Sequence, residues 1–330
     1  MIRPRVLLVA AFDDAHHAHA LQRARAMERL GCEVEEFDLL WRPGLFQRFR
    51  AGDLYSRLAE TLAETAPELV LVIGGGEHLE VEPLERVRGG SRATWVNWFP
   101  DDLRTVVRAA SHARIYDRVL ASGSEVAGAL SGALGKPVDL LPLAADPSVY
   151  RPVRGRDQYR ANVVFSGRAT RRREALLAEL VEFGLAIWGP GWRRTSLKDY
   201  CRGEVPSTED FVRAYGGATI AINIHHTTPD AVQPEAHCNQ RVFEIAAMGV
   251  PQVCDLRSDL ERWFTPDHDL LVFQDGAGLR NIVADLIHDP AHQEALAASA
   301  RRELLARHTY MHRMSDLLAR VEGEVGGGGK

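Results

Sequence analysis

Short apolar runs recur along the chain, each followed by a polar loop and then a stretch of helical spacing. Val6–Ala10 (VLLVA) is the first, leading into the loop FDDAHHAHA. ALQRARAMERLG follows with apolar positions at Leu21, Ala24, Met27 and Leu30, and Gly31 placed as its C-terminal cap. CEVEEFDL predicts a second strand and LYSRLAETLAETAP a second helix, and the runs ELVLVIGGG, ATWVNWF and DRVLAS repeat the pattern. Apolar strands without polar alternation, separated by helices, predict a parallel sheet covered on both faces. The first half therefore reads as a Rossmann-like α/β domain.

Lys136–Pro152 (KPVDLLPLAADPSVYRP) interrupts this rhythm with four prolines and reads as an interdomain connection. The domains are predicted at 1–150 and 151–325. Beyond the break the pattern restarts: ANVVFSG, LAIWG, TIAINIHH, PQVCDL and LLVFQD read as strands, with RRREALLAELVEFG, QRVFEIAAMGV, LRNIVADLIHD and HQEALAASARRELLARH as helices. A last helix, MHRMSDLLARVEGE, is amphipathic through Met311, Met314, Leu317, Leu318 and Val321. Two such domains are expected to face each other across a cleft, and ligands of open α/β sheets bind outside the carboxyl ends of the strands.

Composition narrows the classes. A 45% hydrophobic, 26% charged chain is ordinary globular material, and its net charge of -5 argues against nucleic acid as a partner. Cys32, Cys201, Cys238 and Cys254 are scattered without a CxxC pair, which predicts reduced thiols in a cytoplasmic protein and no zinc site. No apolar run is long enough for an integral membrane segment, and the first reads as a buried strand and not a signal peptide. The closing GGGGK reads as a linker outside the fold.

Loops after strands are where chemistry is sought. NQRVFEIAAMGVPQVCD (239–255) predicts a helix opening at Asn239 or Gln240 and closed by Gly249. A helix N-terminus offers backbone amides and partial positive charge to a phosphate, and Arg241 adds a forked cation. One turn further on, Glu244 could accept from ribose hydroxyls; alternatively Asn239 only caps the helix and Glu244 is a surface acid. VVFSGRATRRREALL reads as a pyrophosphate clamp, with Gly167 allowing close approach and Arg168 plus one of Arg171, Arg172 or Arg173 supplying charge. A solvated basic helix face is the alternative for the triplet. WGPGW offers Gly189 and Trp192 to a nucleobase, or else a turn with packed tryptophans. His225 and His226 close the strand TIAINIHH, where one could meet sugar or phosphate.

In the first half, His16, His17, Asp101 and Asp102 follow strands and are placed on the acceptor side, with Asp102 as candidate base or orienting residue. The histidines lack a defined fourth ligand, so no metal is assigned. IGGGEH lacks the G-x-G-x-x-G signature, and neither a P-loop nor a G-x-S-x-G elbow occurs.

On these residues the chain resembles the GT-B glycosyltransferases. NQRVFEIAAMGVPQVCD is similar to their donor-site helix, in which a glutamate precedes small residues, Gly and Pro. The resemblance implies a donor-ribose role for Glu244 and a diphosphate clamp of Arg168 with Arg172. Asn-x-Arg-x-Phe-Glu, then Glu261, Trp263 and Phe264, and HTYMHR at 308–313, resemble the CgeB-like branch associated with spore-coat maturation. Retaining relatives carry a further glutamate eight positions before the ribose glutamate; Ala236 stands there, with Glu235 one place off register. LPLAADPSVYRP is similar to the superfamily's interdomain segment, in which Asp146 has a structural place.

The resemblance implies two Rossmann-like domains, with the C-terminal helix packing back toward the first. It also implies transfer of a hexosyl group from a nucleoside diphosphate sugar to an acceptor, whether glycan, small molecule or protein, with retention and without metal or other cofactor. The donor residues expected are Gly167, Arg168, Arg172, Gly189, Trp192, His225, Asn239, Gln240, Arg241 and Glu244, with Asp102, Arg168 and Glu244 catalytic. A nucleotide-sugar 2-epimerase of the same fold, or an inactive binding protein, are the rival readings.

Overall fold

The computed structural model describes residues 4–12, 19–41, 53–74, 78–99, 106–205, 207–226 and 236–325. In chain order the first elements are β1 (Arg5–Ala10), α1 (His19–Arg29), β2 (Glu33–Asp38), α2 (Leu54–Thr65), β3 (Leu69–Ile73) and α3 (Val81–Gly89). Then come β4 (Thr94–Phe99), α4 (Val106–Ala113), β5 (Arg118–Ala121), α5 (Ser124–Leu134) and β6 (Asp139–Leu140). A second series follows: β7 (Ala161–Ser166), α6 (Arg171–Ala178), β8 (Leu185–Trp188), β9 (Cys201–Gly203), α7 (Thr208–Gly216) and β10 (Ala218–Asn223). It closes with α8 (Gln240–Met248), β11 (Gln252–Asp255), β12 (Leu271–Phe273), α9 (Gly276–Leu286), α10 (Pro290–Arg307) and α11 (Tyr310–Val325).

Each series builds one six-stranded sheet whose neighbours run parallel. The first has the order β2-β1-β3-β4-β5-β6 and the second β12-β11-β10-β7-β8-β9. Read from its far edge, the second sheet is the 3-2-1-4-5-6 arrangement of doubly wound folds, with its topological switch point between β7 and β10. Central strands are buried on both faces, as the unbroken apolar runs predict: Val6 to Ala10, Leu69 to Val72 and Val163 to Phe165 are all at most 3% exposed. β2 lies at an edge, which explains how EVEEFD forms a strand with only Phe37 buried.

Two strands went unread in the sequence. β9, three residues long, pairs with β8 at the other edge through Cys201 and Gly203, across a register shift, and β6 adds two residues beside β5 inside the proline-rich connection. Edge strands this short need no apolar run, so periodicity does not mark them.

The chain divides into two compact units. The first takes the described residues up to Pro142 together with those from Tyr310 onward, and the second runs Leu143–Thr309. The crossing expected at 150/151 thus falls at 142/143, and α11, assigned by sequence to the second domain's span, belongs to the first unit. Met314 and Leu317 are fully buried on it, and α11 packs on α1. Ala20, Gln22, Arg23, Ala24, Ala26 and Met27 are buried on α1; Leu30, expected on the apolar stripe, follows the helix and is 37% exposed.

Arg23 is the charged member of that set. Its guanidinium lies over the rings of Trp98 (4.5 Å) and Tyr310 (4.9 Å), so a charged side chain fills the seam where α1, β4 and α11 meet. Trp98 is fully buried, donates from Nε1 to the Leu141 carbonyl at 2.9 Å and meets Tyr310 edge-on at 6.5 Å. Cation–π stacking keeps the buried guanidinium in favourable company. Trp98→Ala is expected to cost about 3–5 kcal/mol through the cavity it leaves and the stack it removes. Urea unfolding checks this; a loss below about 1 kcal/mol would remove the seam as a stabilising centre.

Candidate functional site

At the carboxyl edge of the second sheet, the loops after β7 and β8 are joined main chain to main chain. The Gly167 amide donates to the Trp188 carbonyl at 2.9 Å, and the Ala169 amide to the Pro190 carbonyl at 3.0 Å. Gly189 sits at φ 127°, and a Cβ there would come within 2.5 Å of the Gly167 oxygen. Only glycine permits that approach. Trp192 is fully buried, edge-on to Phe165 at 5.9 Å, and its indole nitrogen donates to the Gly167 carbonyl at 2.8 Å. The nucleobase contact expected of its ring is therefore corrected: Trp192 is core and a brace for the Gly167 turn. Beside it, Gly189–Arg194 with Cys201, Gly203 and Glu204 line an open recess of about 560 Å³.

Arg168 follows Gly167 with an exposed side chain. Thr170 then caps α6, its hydroxyl accepting the Arg173 amide at 3.2 Å. Arg173 spans the switch point. Its Nε and Nη2 donate to the Ile224 carbonyl beyond β10, at 3.1 and 2.7 Å, and its Nη1 to the Arg168 carbonyl at 3.0 Å. Burial, then the nearby Arg241 charge, pushes its pKa down to about 10.

α8 enters the same region. The Asn239 side-chain oxygen accepts from the Val242 amide at 3.3 Å, and its amide group exchanges hydrogen bonds of 3.0 and 3.1 Å with Asn223. Asn239 is thus occupied as cap and strut, the role of the plainer sequence reading. Gln240 donates to the Ala144 carbonyl, tying the first helical residue to the segment where the second unit begins. Arg241 Nη1 lies 2.7 Å from Glu244 Oε2, and its guanidinium covers the Phe211 ring at 4.3 Å. Burial opposes the Arg241 charge, but Glu244 and neighbouring Tyr215 hold its pKa above the ordinary value. Glu244 is 0% exposed, so the surface-acid alternative is excluded. Removing this carboxylate would strand a paired, largely covered guanidinium. Gly249, at φ 66°, closes the helix as predicted.

Asp255, at the end of β11, gathers the remaining groups. Its Oδ1 accepts the His225 amide at 2.9 Å and lies 2.6 Å from His225 Nδ1; its Oδ2 accepts from Arg172 at 2.9 Å and Arg257 at 3.1 Å. Burial would raise the carboxyl's pKa, but His225, Arg257 and Arg172 together hold it well below the usual range. Burial pushes His225 down to about 4 against the pull of Asp255, so the ring is neutral near physiological pH. His225, Cys254 and Asp255 place candidate ligand atoms within 4.8 Å of one another. The carboxylate is already saturated by four donors, and two of them are cations, which disfavours a metal there.

Arg172 is thereby corrected from clamp to strut: its guanidinium belongs to Asp255, and Arg168 remains the exposed cation of the loop. Gly167, Arg168, His225, Gln240, Arg241 and Glu244 all belong to elements meeting at this sheet edge. His16, His17, Asp101 and Asp102 lie outside the described residues. Sequence reasoning missed Asn223, Asp255 and Arg257 as parts of the site. The available signal was polar residues ending the runs TIAINIHH and PQVCDLR, where a buried strand hands over to a loop.

Two titration consequences follow for stability. His225 binds its proton more weakly when folded, so stability falls as pH drops from about 6.5 to about 4, by on the order of 3 kcal/mol. Asp255 acts at lower pH: its contribution is complete above the unfolded carboxylate range and is lost as pH falls toward its depressed folded value. Urea titrations across this range should show the upper slope, and His225→Asn should flatten it. An unchanged slope in that variant assigns the acid sensitivity elsewhere.

Residues 171–319 match a family model described as glycosyl transferase-like. Among solved structures the chain resembles sucrose-phosphate synthase from Thermosynechococcus elongatus at TM-score 0.69 and 15% identity, covering 98% of this chain and 100% of that one. It resembles Alr3699/HepE of Anabaena, solved in complex with UDP and glucose, at TM-score 0.69 and 13% identity over 97% and 100% of the two chains. AviGT4, a glycosyltransferase involved in avilamycin A biosynthesis, gives TM-score 0.65 and 14% identity over 96% of each. No curated protein sequence matches. At these identities the likeness is one of fold: the chain has the two-sheet α/β GT-B fold of these structures, and its residues 171–319 match the glycosyl transferase-like family model.

Proposed function

We propose that this chain is a glycosyltransferase that takes its sugar from a nucleoside diphosphate donor, with the diphosphate at the switch point of the second sheet. The observation that carries the reading is the Arg173 bridge. By binding the Arg168 and Ile224 carbonyls, it fixes the loop bearing an exposed guanidinium against the strand end that leads to α8. β7 and β10 are neighbours, so Arg168 and the amide end of α8 both stand at carboxyl ends of adjacent strands. A dianion between them meets a fork of N–H donors, a helix N-terminus and the Arg241 charge.

In the transfer, the bond from the anomeric carbon to the diphosphate oxygen breaks with its electron pair going to the diphosphate. The acceptor oxygen bonds to that carbon and loses its proton. Arg168, Arg241 and the α8 amides stabilise the departing charge, which is preorganised electrostatic catalysis. Glu244, held by Arg241, is the ribose-accepting carboxylate of this reading, and the recess beside Gly189 suits the base.

The donor class finds support in Alr3699/HepE, whose structures hold UDP, glucose and UDP-glucose. Retention, hexosyl transfer and the CgeB-like assignment rest on the motifs NQRVFEI and HTYMHR. Metal independence fits a diphosphate whose charge is met by arginines and a helix terminus. The acceptor side is assigned to the first half of the sequence, with His16, His17, Asp101 and the proposed base Asp102. Among the described residues no helix is long and apolar enough to cross a membrane, and the free cysteines accord with a cytoplasmic place for the reaction.

Arg168 gives the cleanest test because its side chain is exposed. Arg168→Ala should shift stability by less than about 0.5 kcal/mol, yet weaken binding of the nucleoside diphosphate by about 1.5–3 kcal/mol. Titration calorimetry with UDP, GDP, TDP and ADP and their glucose conjugates checks both donor class and residue. Unaltered diphosphate affinity in the variant would remove Arg168 from the clamp. Glu244→Gln should weaken donor binding and lower stability together, since it removes the anionic partner of Arg241.

A further inference from the structure

The switch point holds a polar atom that no other group engages among the described residues. His225, two residues beyond β10, is 2% exposed, and its Nε2 is buried without a hydrogen-bond partner. The opposite nitrogen has its role fixed. Nδ1 lies 2.6 Å from Asp255 Oδ1, and that carboxylate also accepts from the His225 amide, Arg172 and Arg257. A carboxylate among these donors carries no proton, so Nδ1 is the protonated nitrogen and Nε2 presents a bare lone pair. The surrounding backbone is held as firmly, because Arg173 takes the Ile224 carbonyl and Arg172 approaches that of His225 at 3.5 Å.

We propose that His225 Nε2 reads the sugar of the donor, accepting a hydrogen bond from one of its hydroxyl groups. The inference rests on the donor-site reading above and adds the group that distinguishes sugar from diphosphate. A diphosphate at neutral pH is mostly fully ionised and has little proton to give, and its oxygens repel a bare lone pair. A sugar hydroxyl supplies the missing donor. Position agrees: the strut Arg172 joins His225 to α6, whose preceding loop carries Arg168, so a sugar linked to a diphosphate at Arg168 lies beside this residue. A role as general base suits the ring poorly, since burial pushes its pKa down to about 4. His225 therefore selects and orients, and proton removal from the acceptor falls to another group.

The test separates sugar from nucleotide. In His225→Asn the amide nitrogen can replace Nδ1 as donor to Asp255, while nothing stands at the Nε2 position. His225→Gln places an amide near Nε2 instead. UDP, GDP, TDP and ADP are titrated with their glucose conjugates, and the best-bound pair is carried forward. His225→Asn should bind the nucleoside diphosphate within about twofold of the parent protein and its glucose conjugate about tenfold or more weakly, with His225→Gln recovering part of the loss. Equal losses for both ligands, or none, overturn the inference while the donor site stands. Failure of the parent protein to bind any of the nucleoside diphosphates removes the donor-site reading, and this one with it. Heteronuclear NMR of the imidazole nitrogens gives a readout without substitution. Nε2 should be unprotonated across about pH 5–8 and shift on adding the glucose conjugate but not the diphosphate; a protonated Nε2 overturns the inference.

Discussion

The second sheet depends on one buried carboxylate. Asp255 ends β11, and through four hydrogen bonds it holds the backbone and ring of His225 beyond β10, Arg172 on α6, and Arg257 on its own loop. Burying a carboxylate alone costs several kcal/mol, and so does burying a guanidinium. Here each supplies what the other lacks, and the imidazole nitrogen and an amide complete the shell. The arrangement fixes three loop origins relative to one another at the edge where an open α/β sheet binds ligands. It also sets the imidazole tautomer. Charge balance in the interior thus determines which hydrogen bond the site can offer.

Around this node, the arginines that follow β7 divide their labour by burial. Arg173 is drawn inward to carbonyl oxygens and Arg172 to Asp255, while Arg168 keeps its head in solvent. A run that reads as a uniform basic patch thus divides: Arg173 is a bridge, Arg172 a strut, and Arg168 and Arg171 are exposed cations. α8 shows the same economy. Residues Val242 to Met248 are all buried, and the one acid among them pairs with Arg241, one turn earlier. The first unit repeats the theme in another key, with the Arg23 guanidinium lying over two aromatic rings.

Much of the frame was legible because it follows from periodicity. Unbroken apolar runs such as VLLVA and LVLVI became central strands, and Asn239 and Gly249 bounded α8 as their residue types require. β6 and β9 escaped notice because strands of two or three residues at a sheet edge bury too little to leave a pattern. Within the site, Gly167, Arg168 and the start of α8 were visible from their places at strand ends. Trp192 and Arg172 were misjudged. Residue type alone cannot say whether an indole or a guanidinium turns inward, and here Gly167 and Asp255 supply the partners that draw them in.

By itself, then, the sequence determined the alternation of strands and helices, the two-domain plan and the helix terminus suited to an anion. These are local properties, set by spacing of apolar residues and by capping chemistry within a few positions. Only the tertiary structure decided the strand order and the pairing of Asp255 with His225, Arg172 and Arg257. Partners between 2 and 83 residues apart meet there, and such meetings depend on how the sheets wind. No window along the chain contains that information.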